Sequence, residues 1–345
     1  MAGAADRVLV VGPSWVGDMV MAQSLFIFLC KTRPGLELDV LAPPWSGPLL
    51  ARMPQVRSAL TLPFAHGQLD MAGRRRLGTA LRPAAYQQAI VLPNSLKSAL
   101  VPWFARIPRR TGWRGEMRYG LLNDLRVLDE VAMPLMVQRF VALAGARDEA
   151  APTDIPSPRL EVSAQSVASC SQKFELDPGL PILALCPGAE FGSAKQWPAD
   201  YYGALADRYL EQGWQVVLFG SANDRQACAA ITAQVNQHPG CWDLAGKTSL
   251  AEAVDLLSMA TGVVSNDSGL MHIASALGRP LVAIYGATSP GFTPPLGAGA
   301  ALQVSDIDCS PCFKRECPLG HHRCMRDTSP GQVSAKLDTL LSGGG

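Results

Sequence analysis

At 345 residues the chain exceeds one comfortable hydrophobic core, and at roughly 100–200 residues per domain it reads as two domains. An apolar share of 48% with a charged share of 17% suits buried cores and excludes a disordered chain. The 30 Lys and Arg against 29 Asp and Glu leave a formal charge of +1, which excludes bulk electrostatic capture of nucleic acid and leaves any polyanionic partner to a local patch.

The amino terminus reads MAGAADRVLVVG. Its apolar stretch is too short for a signal-peptide core and no small-residue cleavage pattern follows, so a cytoplasmic protein is expected. No window approaches the roughly 20 continuous apolar residues of a spanning helix, which leaves peripheral membrane contact. Arg7 to Val11 is the first predicted strand. The loop Gly12-Pro13-Ser14-Trp15-Val16-Gly17-Asp18 follows and opens a helix to about Cys30. Loops at the carboxyl ends of strands line the ligand crevice of an open α/β sheet. This one is neither GxGxxG, which needs glycine at position 14, nor a Walker loop, which needs Lys-Ser or Lys-Thr after Gly17. Asp18 in that place would repel a phosphate. Two readings of it stand: a general base aimed at a substrate hydroxyl, or a helix N-cap.

Further strands are predicted at Leu38 to Ala42 and Ala89 to Leu92. Ala150 to Pro158, containing APTDIPSP, is punctuated by proline and marks a linker. Beyond it, strands are predicted at Ile182 to Cys186, Gln215 to Phe219, Gly262 to Ser265 and Leu281 to Tyr285. Short β-branched runs alternating with helix-length amphipathic segments make an α/β chain, its parallel sheets covered by helices. The expected domains are 1–160 and 161–330, with 331–345 as a last helix and a flexible SGGG tail.

After the strand ending at Cys186 comes a long loop, Pro187-Gly188-Ala189-Glu190-Phe191-Gly192-Ser193-Ala194-Lys195-Gln196-Trp197-Pro198. Lys195 is a point charge suited to a diphosphate leaving group, or else a solvated loop lysine. Tyr202, Leu205, Ala206, Tyr209 and Leu210 then fall at i, i+3, i+4, i+7 and i+8, one face of a helix. Ser265-Asn266-Asp267-Ser268-Gly269-Leu270-Met271-His272 again follows a strand and opens a helix. The amides of Ser268, Gly269 and Leu270, with the positive end of the helix dipole, suit an anion such as a diphosphate. His272 lies one turn in. The competing reading makes Asp267 an N-cap and His272 a packed core side chain.

The chain holds 9 cysteines, an odd number that suggests reduced thiols more than a disulfide framework. Cys309, Cys312, Cys317 and Cys324 cluster at spacings x2, x4 and x6, beside His321 and His322. Only the first pair has zinc-knuckle spacing, so a structural zinc site and a plain reduced loop both stand. Pro330 to Leu341 is the last predicted helix.

Five stretches, VGPSWVGDMVMAQSL, IPRRTGWRGEMRYGLLND, PGAEFGSAKQWP, SNDSGLMHIASALGRPLVAIYG and CSPCFKRECPLGHHRC, resemble in order the heptosyltransferase family of bacterial lipopolysaccharide synthesis. The resemblance runs over essentially the whole chain and implies an inverting enzyme of GT-B architecture, two Rossmann-like domains with parallel sheets facing across a central cleft. It implies that the first domain binds the acceptor and the second the ADP-sugar. Asp18 matches the family's catalytic base and Lys195 the lysine that contacts the donor phosphates. Asp267, Ser268, Gly269 and His272 match the donor-binding motif, and Ser193 adds a phosphate contact. The adenine pocket falls near Leu244 to Leu250. Where some relatives carry a ribose-binding glutamate, this chain reads Phe219-Gly220-Ser221-Ala222-Asn223-Asp224, with Asp224 as the stand-in.

The implied partners are ADP-heptose and an acceptor of heptosyl-Kdo2-lipid A. No cofactor, catalytic metal or nucleic acid is implied, and membrane contact is peripheral, through the acceptor, on the inner face of the inner membrane. That acceptor is anionic, so a basic surface is expected on the first domain. Arg74 to Arg76 and the set Arg106, Arg109, Arg110, Arg114 and Arg118 supply it, with Arg110, Arg114 and Arg118, interleaved with Trp113 and Tyr119, as the acceptor-binding choice. Solvated faces and salt bridges are the alternative for arginines this dense. A paralogous transferase with another acceptor, and a non-catalytic nucleotide binder, remain as other functions.

Overall fold

The computed structural model of the chain describes residues 6–65, 67–147, 149–150 and 152–343. Parts of three sequence readings lie outside them: residues 1–5 of the amino-terminal reading, Ala151 of the linker and the last two glycines of the tail. Two compact units divide the chain, the first ending at Pro158 and the second beginning at Arg159.

The first unit carries β1 (Arg7–Val11), β2 (Glu37–Ala42), β3 (Ser58–Thr61), β4 (Gln88–Val91), β5 (Arg109–Trp113) and β6 (Asp124–Arg126). They form one six-stranded sheet in the order β3-β2-β1-β4-β5-β6, every neighbouring pair parallel. The second unit carries β7 (Ile182–Cys186), β8 (Gln215–Leu218), β9 (Cys241–Asp243), β10 (Gly262–Asn266), β11 (Leu281–Tyr285) and β12 (Ala300–Val304). Its order is β12-β11-β10-β7-β8-β9, again all parallel. Each sheet runs three strands outward, returns to the middle and runs three the other way. The doubly wound pattern puts a switch point between β1 and β4 in the first unit and between β7 and β10 in the second. Loops leaving these four strands are where a ligand crevice forms.

Central strands are buried on both faces: β4, β7, β8, β10 and β11 are buried at every residue, as parallel strands covered by helices should be. In helix Ala199–Glu211, Tyr202, Leu205, Ala206, Tyr209 and Leu210 are the buried face, the one their spacing selects. That face joins Leu183, Leu185, Val216 and Leu218 of β7 and β8 in one cluster. Helix Pro330–Ser342 packs on β10, β11 and β12, and its Asp338 accepts the Tyr209 hydroxyl at 2.7 Å. It is part of the second unit rather than a separate piece.

Candidate functional site

The candidate anion site of the second unit is built by the loops that leave β7 and β10, the two strands flanking the switch point. β10 ends in Asn266, buried and polar, whose side chain stitches the loops together. Its Nδ2 donates to Pro187 O at 2.7 Å, and its Oδ1 accepts the Trp197 amide and the Tyr202 hydroxyl, each at 3.1 Å. The β7 loop is thereby held at both ends by one side chain of β10.

Lys195 is not the solvated lysine that a lone loop position would suggest. Its side chain is 14% exposed, and Nζ lies 2.6 Å from Asp267 Oδ2. Thr288 Oγ1 donates to the same oxygen at 2.6 Å. Phe191 covers the ammonium, with Nζ 4.9 Å from the ring centroid, and Arg315 stacks toward that ring as well. The bend that brings Lys195 back needs Gly192, whose φ is 152°. A methyl there would also collide with the Arg315 carbonyl oxygen, so the position is closed to side chains.

Ser268, not Asp267, caps helix Gly269–Ala276, its Oγ accepting the Met271 amide at 3.4 Å. Capping by Ser268 leaves Asp267 to the Lys195 pair, and the first-turn amides of Gly269 and Leu270 keep the outward direction that helix geometry gives them. A bare carboxylate here would oppose a phosphate; matched by an ammonium and a hydroxyl, it instead fixes the ammonium at the helix terminus. His272 is buried, and its pKa is pushed down to about 4, first by burial; Asp267 pulls it up and Lys195 pushes it further down. The imidazole is therefore neutral at neutral pH, with one donor and one acceptor nitrogen. Ser193 is exposed on the turn before Lys195. Asp224 is spent on its own turn, Oδ2 accepting the Ser221 amide at 2.7 Å and the Ser221 hydroxyl at 2.8 Å. In the segment expected to line the adenine, Gly246 takes φ 64° and its amide donates to Gly220 O at 2.9 Å, joining the β9 loop to the β8 loop.

In the first unit the β1 loop enters helix Val16–Thr32 through Trp15, which caps it without a side-chain hydrogen bond. Asp18 is thus not the N-cap; it lies in the helix's first turn and is partly exposed. A carboxylate in a first turn is stabilised as the anion by the helix dipole, the form a general base needs.

The arginines divide in a way the sequence reading did not foresee. Arg118 is an interior side chain, 1% exposed. Nη1 donates to Pro93 O at 2.6 Å, Nη2 to Asn94 Oδ1 at 3.2 Å and to the Trp113 carbonyl. Burial lowers its pKa to about 10, opposed by Glu116. It holds the β4 and β5 loops together and is withdrawn from the surface on which an acceptor contact was expected of it. Arg74 is likewise buried, donating to Leu69, Gln68 and Lys97 carbonyls, so the expected Arg74 to Arg76 surface reduces to Arg75 and Arg76. Arg109 pairs with Asp124 at 3.0 Å, and Arg110 donates to Leu121 O and Ile107 O at 2.6 and 2.5 Å. Arg106 and Arg114 are exposed, the latter near exposed Met117 and Tyr119 in the same loop. Sequence reasoning missed Asn266 and Thr288; the only signal for Asn266 was a polar residue closing an apolar strand.

Comparison with known proteins bears on this geometry. Residues 74–323 match glycosyltransferase family 9 (heptosyltransferase). The chain is 49% identical to lipopolysaccharide heptosyltransferase 2 of Salmonella typhimurium, over 97% of this chain and 99% of that protein. Against lipopolysaccharide heptosyltransferase 2 of Escherichia coli it is 48% identical, over 97% and 98%. Among solved structures, E. coli ADP-heptose lps heptosyltransferase II is similar with a TM-score of 0.89 at 46% identity, covering 98% of this chain and 99% of that one. A glycosyltransferase family 9 structure from Veillonella parvula, at 19% identity and a TM-score of 0.86 over 99% of both chains, shares the fold.

Proposed function

The chain belongs to glycosyltransferase family 9, the heptosyltransferases, and from that premise we propose that it moves heptose from ADP-heptose onto the first heptose of a lipopolysaccharide inner core, with inversion. It is a glycosyltransferase of GT-B fold, and its full-length relatives at 48–49% identity carry the name lipopolysaccharide heptosyltransferase 2. The observation that carries the donor half of the reading is the Lys195 ammonium, 2.6 Å from Asp267 at the amino end of helix Gly269–Ala276.

In this reading Asp18 takes the proton of the acceptor hydroxyl. The freed oxygen pair attacks the anomeric carbon, the bond from that carbon to the diphosphate oxygen breaks, and ADP leaves with its electrons. Lys195 and the amides of Ser268 and Gly269 receive the charge that grows on the diphosphate. Neutral His272 offers a hydrogen bond to phosphate or sugar, and Ser193 a hydroxyl. Arg114, with Tyr119, is the acceptor contact that stays accessible, while Arg110 lies at the start of β5 with its donors turned to the Leu121 and Ile107 carbonyls. No helix among the described residues is long and apolar enough to cross a membrane; in this reading contact with the inner face of the inner membrane comes through the heptosyl-Kdo2-lipid A acceptor.

The test is acceptor-dependent ADP release from ADP-heptose, with inner core bearing one heptose, for wild type and Asp18→Asn. Wild-type turnover that falls by about 10²–10⁴ in the variant, with ADP affinity retained, is the expected result. ADP binding without acceptor-dependent release would reject this acceptor and point to a paralogous transferase or a non-catalytic binder.

A further inference from the structure

Four thiols that glycosyl transfer does not use come together in the second unit. Cys309, Cys312, Cys317 and Cys324 line one cavity of about 20 Å³, beside His321, Ala194 and Ala287. That space accepts one water or one small ion. Spacing in sequence does not require this convergence; the turns produce it. Phe313, directly after Cys312, has φ 53°, and Gly320 and His322, after Cys317, have φ 71° and 50°. As the chain curls, the amides of Leu319, Gly320, His321 and His322 turn toward the Cys317 sulfur. Exposure is graded around the cavity, Cys324 buried, Cys312 and Cys317 half-buried and Cys309 exposed, so one side opens to solvent.

We propose that the segment 309–324 is a metal clamp, in which the four cysteine sulfurs bind one thiophilic divalent ion, Zn²⁺ or Fe²⁺. Four thiolates match the soft-ligand preference and the tetrahedral geometry of both ions. Among the described residues no group of three or more His, Cys, Asp or Glu side chains is placed to hold a metal ion as it stands, so the clamp requires the four sulfurs that line the cavity to move inward on binding. Each thiol that is still protonated releases its proton to solvent as its metal–sulfur bond forms, and no electron changes hands.

The clamp bears on the donor loop. Ala194 N donates to Arg315 O at 3.0 Å and Phe313 N to Ala287 O at 2.8 Å, while Ser310 Oγ donates to Gly286 O at 2.7 Å. Ala194 precedes Lys195 and Ala287 precedes Thr288, the two groups that meet on Asp267. A metal that fixes this segment therefore braces both partners of that carboxylate. This consequence rests on the proposed donor site; the metal content does not.

The test is elemental analysis of the full chain, expressed with zinc and iron supplied and purified without oxygen. The expected result is about one ion per chain, its identity separating zinc from iron. Cys312→Ser and Cys324→Ser should lose the ion, and Cys30→Ser, in helix Val16–Thr32 of the first unit, should keep it. Because a variant can fail to fold, wild type stripped of metal is also titrated with Co²⁺. Thiolate-to-cobalt bands of a tetrahedral site, with the four cysteines protected from alkylation, would support the clamp. Absence of stoichiometric zinc and iron together with no cobalt–thiolate bands would overturn it, as would a disulfide joining any two of the four in the oxygen-free preparation.

Discussion

At the amino end of helix Gly269–Ala276 a carboxylate, an ammonium and an imidazole share a small, mostly buried volume, and their charges are solved as a set. Asp267 and Lys195 neutralise one another, which leaves no net charge to compensate from His272, so burial holds that imidazole neutral. The free energy of this arrangement depends on pH. In the unfolded chain His272 takes its proton near pH 6.5; in the folded chain it does so only near 4. Between those values the unfolded state binds more protons, so stability is complete above about pH 6.5 and drains away as pH falls toward 4, by about 3 kcal/mol in all. Glu252, whose pKa is held down to about 2, first by Lys173, adds a loss only below its ordinary range near 4.5, outside most of that window. Urea unfolding of wild type and His272→Gln from pH 7 to 4.5 should therefore show a steeper loss in wild type. Parallel curves would mean that His272 is not buried in the neutral form. The sequence offered His272 as either ligand contact or core residue; the structure makes it buried, which the run Leu270 to Ser275 could not decide, because burial depends on what packs against the helix and not on the order of residues along it.

Elements explain why the arginines were misread. The stretch Arg109 to Arg118 reads as a basic surface because charge in a sequence carries no direction, yet Arg109 and Arg110 lie in β5, and Arg118 turns inward to serve loop carbonyls. β5 escaped prediction for the same reason: it opens on two charged residues, and only Thr111 to Trp113 are buried. β3, β6, β9 and β12 were missed as sheet edges, short and half-exposed, without the continuous apolar run that identifies a central parallel strand. Central strands and the loops that leave them were legible, which is why Lys195 and Asp267, which the structure brings together, could be singled out, while the burial of Arg118 could not. Arg118→Ala should cost about 3 kcal/mol of stability, since it strands the Pro93 and Trp113 carbonyls in the interior. Arg118 Nε already has no hydrogen-bond partner among the described residues, so the cost falls on the carbonyls rather than on that atom. Arg114→Ala, at an exposed position, should change stability by less than about 0.5 kcal/mol and raise the acceptor KM instead. Urea unfolding and acceptor saturation curves on the two variants separate these outcomes; an unchanged acceptor KM in Arg114→Ala would remove Arg114 from the acceptor surface.

For the whole molecule, the division after Pro158 separates two sheets with the same strand order, each with a hydrophobic cluster of its own, one around Leu9, Val91 and Ile107 and the other around Leu183, Tyr202 and Val264. Two-domain organisation was visible in the chain length and in the strand–helix pattern that begins again after the prolines near Pro158, because a doubly wound sheet writes itself locally, one strand and crossover at a time. The hydrogen bonds that shape the proposed donor site, those of Asn266, Asp267, Lys195 and Thr288, all lie within the second unit. A chain beginning at Arg159 should then fold cooperatively on its own and bind ADP with nearly the affinity of the full protein, while giving no acceptor-dependent release, since Asp18 is missing. Calorimetric titration of ADP into the two proteins measures this directly. An ADP affinity lower by more than about tenfold, 1.4 kcal/mol, in a fragment that still unfolds cooperatively would show that the first unit supplies part of the nucleotide's binding energy, and the donor site would have to be redrawn to include residues before Arg159.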